Sequence, residues 1–236
     1  MSNTERSFAD RLARGKSIND AIMPMPNYNP QDPDISKAVY PGFLENVSAK
    51  NTEVRVKESA YSAAVADRQE AFFGSNGVKK RATMILNYCK SLKNIGASLK
   101  SVARLVAKIN NYKKTKTAAP PDPENTDAVK KHSKGEQSYG DLTQAIKDLN
   151  EILKSIPDYQ PNNVLIQTAT LDTFIVTLGT LNGSVNTYDN ELSNLQTERN
   201  NMYDDLKDRM KRIKSYILGD FGRDSAEYQL VGGIKV

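Results

Sequence analysis

The chain has 236 residues, 38% of them hydrophobic, with one Cys, one His and no Trp. Its 33 Lys and Arg outnumber 28 Asp and Glu, for a net charge of +5. With a mean hydropathy of -0.60, this composition excludes a membrane-embedded or wholly disordered chain, an intrachain disulfide and a cysteine zinc cluster, and a single His in a polar stretch argues against a histidine-based triad. The N-terminal stretch holds Glu5, Asp10 and three Arg, with no apolar core for a signal peptide, so the expected compartment is the cytoplasm. A first helix is predicted over 7–22, stopped by the proline turn Pro26-Asn27-Tyr28-Asn29-Pro30. A long helix is predicted over 33–73, with Pro41-Gly42 as the point where it would bend or break. After Gly74-Ser75-Asn76-Gly77 a third helix returns to about residue 94, and Gly96 separates it from a further helical segment over 98–110. Residues 113–137, rich in Lys, Thr, Pro and Asp, read as a mobile linker. The second half repeats the plan: a helix over 141–156, a proline turn at 157–161, a long helix over 162–203, a third helix ending near 218–219, and a last short helix over 224–230. The most apolar window, 164–185, contains Asp172 and Asn182 and does not make a spanning helix.

The two halves are related. Pro26-Asn27-Tyr28-Asn29-Pro30 recurs as Pro157-Asp158-Tyr159-Gln160-Pro161, and the offset of 131 held without gaps over 7–73 gives 14 identities in 67 positions. Roughly four are expected from average composition. The identities include Asn19/Asn150, Phe43/Phe174, Asn51/Asn182, Val54/Val185 and Arg68/Arg199. After a gap of three the match resumes with Val78/Leu206, Lys79/Lys207, Arg81/Arg209, Ile85/Ile213 and Tyr88/Tyr216. Apolar stripes run along both long helices, through Phe43, Val47, Val54, Tyr61, Val65 and Phe72 in the first copy and Phe174, Leu178, Val185, Leu192 and Tyr203 in the second. The expected fold is therefore all-α: an elongated helical bundle of two tandem, pseudo-twofold-related helical repeats, 1–112 and 138–236.

No catalytic, cofactor or metal constellation is legible. Gly15-Lys16-Ser17 ends like a phosphate loop, but Asp10 stands where that motif needs glycine and no strand precedes it. The Asp204, Asp205, Asp208 group alternates with Lys and Arg and reads as a solvated helix face. Cys89 falls on an apolar side and reads as a small core residue. Arg68 and Arg199, with Asn51 and Asn182, are polar groups at equivalent seam positions, suited to fixing register.

The sharpest feature is charge. Residues 74–116 hold 11 Lys or Arg and no acid. On one helical wheel Lys79, Lys90, Lys93, Lys100, Arg104 and Lys108 fall within an arc of about 80°. This candidate interaction surface has three readings: a solvated face, a contact with the acidic surface of another copy, or a site for nucleic acid or another polyanion.

The proline turn, the long helix and the ending Phe221-Gly222-Arg223-Asp224-Ser225-Ala226-Glu227-Tyr228 resemble a group of uncharacterised bacterial all-helical proteins with a duplicated helical unit. That resemblance implies an all-helical bacterial protein and brings no activity and no functional residue. The resulting expectation is a non-enzymatic structural or scaffolding protein. It would self-associate into a homo-oligomer or filament, with polyanion or nucleic-acid binding through 79–108 as the alternative and no membrane partner.

Overall fold

The computed structural model describes residues 3–93, 95–110 and 134–236. It is helical throughout, with no strand among the described residues. The helices are α1 (Asn3–Ile22), α2 (Tyr40–Phe73), α3 (Val78–Ser91), α4 (Gly96–Asn110), α5 (Lys134–Lys154), α6 (Thr168–Phe221) and α7 (Ala226–Gly232), with 3-10 turns at Pro33–Ile35 and Val164–Ile166. No described helix is long and apolar enough to cross a membrane. The expected linker 113–137 ends sooner than expected: α5 starts at Lys134, so 134–137 are helical, and 113–133 lie outside the described residues.

Both proline turns fold by the same local chemistry. Asp32 accepts the Asp34 backbone N–H at 3.0 Å, and Asn163 accepts that of Leu165 at 3.0 Å, each side chain capping a 3-10 turn. The Tyr28 hydroxyl donates to the Ile35 carbonyl at 2.7 Å, and the Tyr159 hydroxyl donates to that of Ile166 at 2.8 Å. Burial pushes both phenols up, well above the usual tyrosine range. The long helices therefore start after these turns, at Tyr40 and Thr168, rather than at 33 and 162. Pro41 lies in the first turn of α2, where its missing N–H costs nothing, so it neither bends nor breaks the helix.

The predicted third helix of the second copy does not exist as a separate element. α6 is one helix of 54 residues. Residues 184–218 contain no Gly or Pro, and Leu171, Leu178, Val185, Leu192, Arg199, Leu206 and Ile213 are all buried at a constant spacing of seven. In the first copy the three extra residues fall at Gly74-Ser75-Asn76-Gly77, which separates α2 from α3. A Cβ on Gly77 would lie 2.9 Å from the Ala71 carbonyl oxygen and 3.0 Å from that of Glu70, so the break needs glycine there.

The chain divides into two compact units, Met1–Glu58 with Asn190–Val236, and Ser59–Asp189. The two division points are themselves 131 residues apart. The first unit holds α1, its proline turn, the start of α2, the end of α6 and α7. Its core includes Phe8, Ile18, Ile22, Tyr28, Tyr40, Val47, Tyr203, Ile213, Ile217 and Val231. The second unit holds the end of α2, α3, α4, α5, its proline turn and the start of α6. Its core includes Phe72, Ile85, Cys89, Val106, Tyr139, Ile146, Leu149, Tyr159, Leu171 and Leu178. Each unit thus joins the front of one sequence copy to the back of the other.

Candidate interaction surface

The second unit carries the charge excess. Of the 33 Lys and Arg, 17 fall in Ser59–Asp189, against 12 of the 28 Asp and Glu, leaving 16 of each sign in the first unit. The excess sits on α3 and α4, which contain seven basic residues and no acid. They do not form one wheel. α4 packs back along α3. Lys79, at the start of α3, donates to the carbonyl of Asn110 at the end of α4, 3.3 Å away. Asn110 in turn donates to the Thr83 hydroxyl at 3.3 Å. The apolar side of α4, with Val102, Val106 and Ile109 buried, faces the core and turns the basic side outward.

The six expected residues divide accordingly. Lys79 is half-buried, 5.4 Å from the Phe73 ring centroid, and cups the carboxyl end of α4. Lys108 belongs to the same end of the hairpin, and Lys90 and Lys93 lie at the other end. Lys100, Arg104 and Lys108 follow one another at spacings of four along α4. All but Lys79 are exposed, and no ion pair reaches Lys90, Lys93, Lys100, Arg104 or Lys108 among the described residues. Lys80 joins them as an exposed cation that the wheel omitted. In the same unit Asp141, Asp148 and Glu151 are exposed on α5 beside exposed Lys147 and Lys154, and Lys154 pairs with Glu151 at 2.9 Å.

Arg81 is basic but does not belong to this surface. It is 8% exposed. Its guanidinium lies 3.9 Å from the Phe174 ring centroid and donates to the carbonyls of Leu165 and Asn76, both at 2.7 Å. Burial lowers its pKa from the ordinary arginine value. Arg209 does the same in the first unit, 4.0 Å from Phe43 and donating to the Asp34 carbonyl at 2.8 Å. Asp205 holds Arg209 by two bonds of 3.1 Å. The pairing Arg81/Arg209 is visible in the repeat, but nothing in composition marks these two as buried carbonyl clamps.

The other polar seam residues are also structural. Arg68 stacks 4.1 Å from Tyr139, and Arg199 stacks 4.3 Å from Phe8. Asn51 donates to the Tyr203 hydroxyl at 2.7 Å, whereas Asn182 donates to the Thr143 hydroxyl at 3.3 Å, because Phe72 stands where Tyr203 would be. Among the described residues no three His, Cys, Asp or Glu converge as a metal site. Asp205 and Asp208 pair locally with Arg209 and Arg212.

Cys89 is fully buried, and desolvation pushes its thiol up to about 11. It should resist iodoacetamide in the native protein at about pH 8 and react once denatured. Fast native labelling would show that the core opens there. An acid whose pKa is raised by folding stabilises the fold below its unfolded value of 9.0 and loses that contribution as pH rises through about 11.

Compared with known protein families, curated proteins and solved structures, the chain matches none.

Proposed function

We propose that the chain is a non-enzymatic structural protein, built by tandem duplication, that self-associates through the cationic α3–α4 hairpin. The observation that carries the reading is the hairpin itself: exposed Lys and Arg without a compensating acid, on a compact unit whose α5 presents Asp141, Asp148 and Glu151. The cationic hairpin of one molecule would meet exposed carboxylates, such as Asp141 and Asp148, of the next. Such a contact uses two different surfaces and so repeats head to tail, giving a ring or an open filament.

The duplication is proposed on matched contacts. Tyr28 meets Tyr216 edge-on at 5.2 Å, and Tyr159 meets Tyr88 edge-on at 5.3 Å. Phe8 lies 4.6 Å from Tyr203, and Tyr139 lies 4.8 Å from Phe72. With the two arginine clamps and the two arginine stacks, these pairs link the front of one copy to the back of the other. Reciprocal exchange of this kind is what a twofold arrangement of copies produces.

The second reading, nucleic acid or another polyanion on the same hairpin, is favoured by the absence of acids there and lacks interleaved aromatics on the exposed face. Sedimentation velocity over a range of concentration and salt separates the two. The account expects assemblies larger than a monomer that dissociate as salt rises. The triple variant Lys93→Glu, Lys100→Glu, Arg104→Glu should be monomeric with unchanged helix content. A parent that stays monomeric but binds duplex or single-stranded nucleic acid at low salt would transfer the function to the second reading. A parent that does neither defeats both.

A further inference from the structure

The sequence holds the dipeptide Asn-Gly twice, at Asn76-Gly77 and at Asn182-Gly183, and the fold treats the two differently. An asparagine followed by glycine carries its own reaction partner. The next backbone nitrogen can attack the side-chain carbonyl carbon, and glycine has no Cβ to obstruct the approach. Asn182 lies in the middle of α6, half-buried, and its amide donates to the Thr143 hydroxyl at 3.3 Å. A helical backbone holds the neighbouring nitrogen out of reach of that side chain and commits its N–H to the preceding turn. Asn76 is exposed in the turn between α2 and α3, and its side chain makes no hydrogen bond among the described residues.

The surroundings of Asn76 favour the anionic intermediate that this attack builds. Gly77 is the N-cap of α3, with extended backbone, and no side chain caps this helix end. The positive end of the helix dipole therefore lies at the attacking nitrogen. Lys79 and Lys80 follow in the first turn, which holds no acid. The opposing charge is that of Glu70, whose carboxylate lies against Gly74. On the main chain, Arg81 Nε donates to the Asn76 carbonyl at 2.7 Å, and the Gly77 N–H donates to the Gly74 carbonyl at 3.1 Å. The first of these bonds can persist through the reaction, and the second opens as the nitrogen attacks.

We propose that Asn76 is a site of spontaneous intramolecular deamidation, converted to aspartate or isoaspartate in the folded protein. The Gly77 nitrogen loses its proton and bonds to the Asn76 Cγ, the Cγ–Nδ2 bond breaks, and ammonia leaves with that proton. Water then adds to the cyclic imide. Cleavage at Cγ gives aspartate, and cleavage at the main-chain carbonyl carbon gives isoaspartate. Either product carries one new carboxylate. It lands in residues 74–116, which hold 11 Lys or Arg and no acid. There it sits at a helix N-terminus beside Lys79 and Lys80, where negative charge is stabilising. Aged copies of the chain thus differ from new ones at the start of the cationic hairpin. The inference does not depend on self-association through that hairpin.

The test incubates the full chain at physiological temperature in mildly alkaline buffer, folded and, separately, unfolded in guanidinium chloride. Tryptic peptides are then read by mass spectrometry. In the folded protein the peptide carrying Asn76 should gain about 1 Da and split into two isomers on chromatography. It should convert at least about tenfold faster than the peptide carrying Asn182, which opens only when α6 unfolds locally. In the unfolded chain the two peptides should convert at similar rates, since the fold no longer distinguishes them. The Asn76→Ser variant should show no gain in that peptide. An Asn76 peptide that keeps its mass in the folded protein while both peptides convert in the unfolded chain, conversion of Asn182 as fast as Asn76 in the folded protein, or a gain that survives Asn76→Ser would each overturn the proposal.

Discussion

Arg81→Ala should cost about 3 kcal/mol of stability, the sum of two charge-assisted hydrogen bonds and a desolvated stack on an aromatic ring, discounted for relaxation. The substitution strands the carbonyls of Leu165 and Asn76 and uncovers Phe174. The loss is larger than for an ordinary surface arginine because 8% exposure leaves water little access to replace the donors. Arg209→Ala should cost a similar amount, since it releases the Asp34 carbonyl, the Phe43 face and both Asp205 bonds. Lys should rescue neither, because one ammonium cannot make these separate hydrogen bonds while lying flat on a ring. Lys80→Ala, at an exposed neighbouring position, should change stability by no more than about 0.5 kcal/mol. Denaturant melts of the five variants give the comparison. Equal effects at Arg81 and Lys80 would show that the clamp carries no load.

Much of this architecture is legible in the residues, and the remainder fails for identifiable reasons. The proline turns announce themselves, because Pro and an Asp or Asn cap act through neighbours in sequence. The seam arginines and asparagines were recognisable as structural from their equivalent positions, and their stacking on Tyr139 and Phe8 agrees. The continuity of α6 was missed because the gapped alignment carried the turn of the first copy onto the second. The heptad from Leu171 to Ile213 and the absence of Gly and Pro over 184–218 were the available signals. The single basic wheel failed because the hairpin divides its residues between two helices.

That each compact unit draws on both halves of the sequence has a consequence for folding that is all or none. Neither compact unit lies within one half of the sequence: the first needs Met1–Glu58 and Asn190–Val236, and the second draws on residues before 111 and after 133. A fragment of residues 1–112 keeps Phe8, Tyr28, Phe43, Arg68 and Arg81 but loses the Tyr203, Tyr216, Arg209, Tyr139 and Leu165 that complete their contacts. A fragment of 138–236 is left open in the complementary way. Such helices, without a packed face, are marginal in water. The most direct measurement is circular dichroism and light scattering of the two fragments, separately and mixed in equal amounts. The account predicts weak, non-cooperative helix in each fragment alone. On mixing it predicts recovery of the parent's helix content and a cooperative melt in a one-to-one complex. A fragment that folds cooperatively as a monomer by itself, or a mixture that gains no structure over its parts, would contradict it.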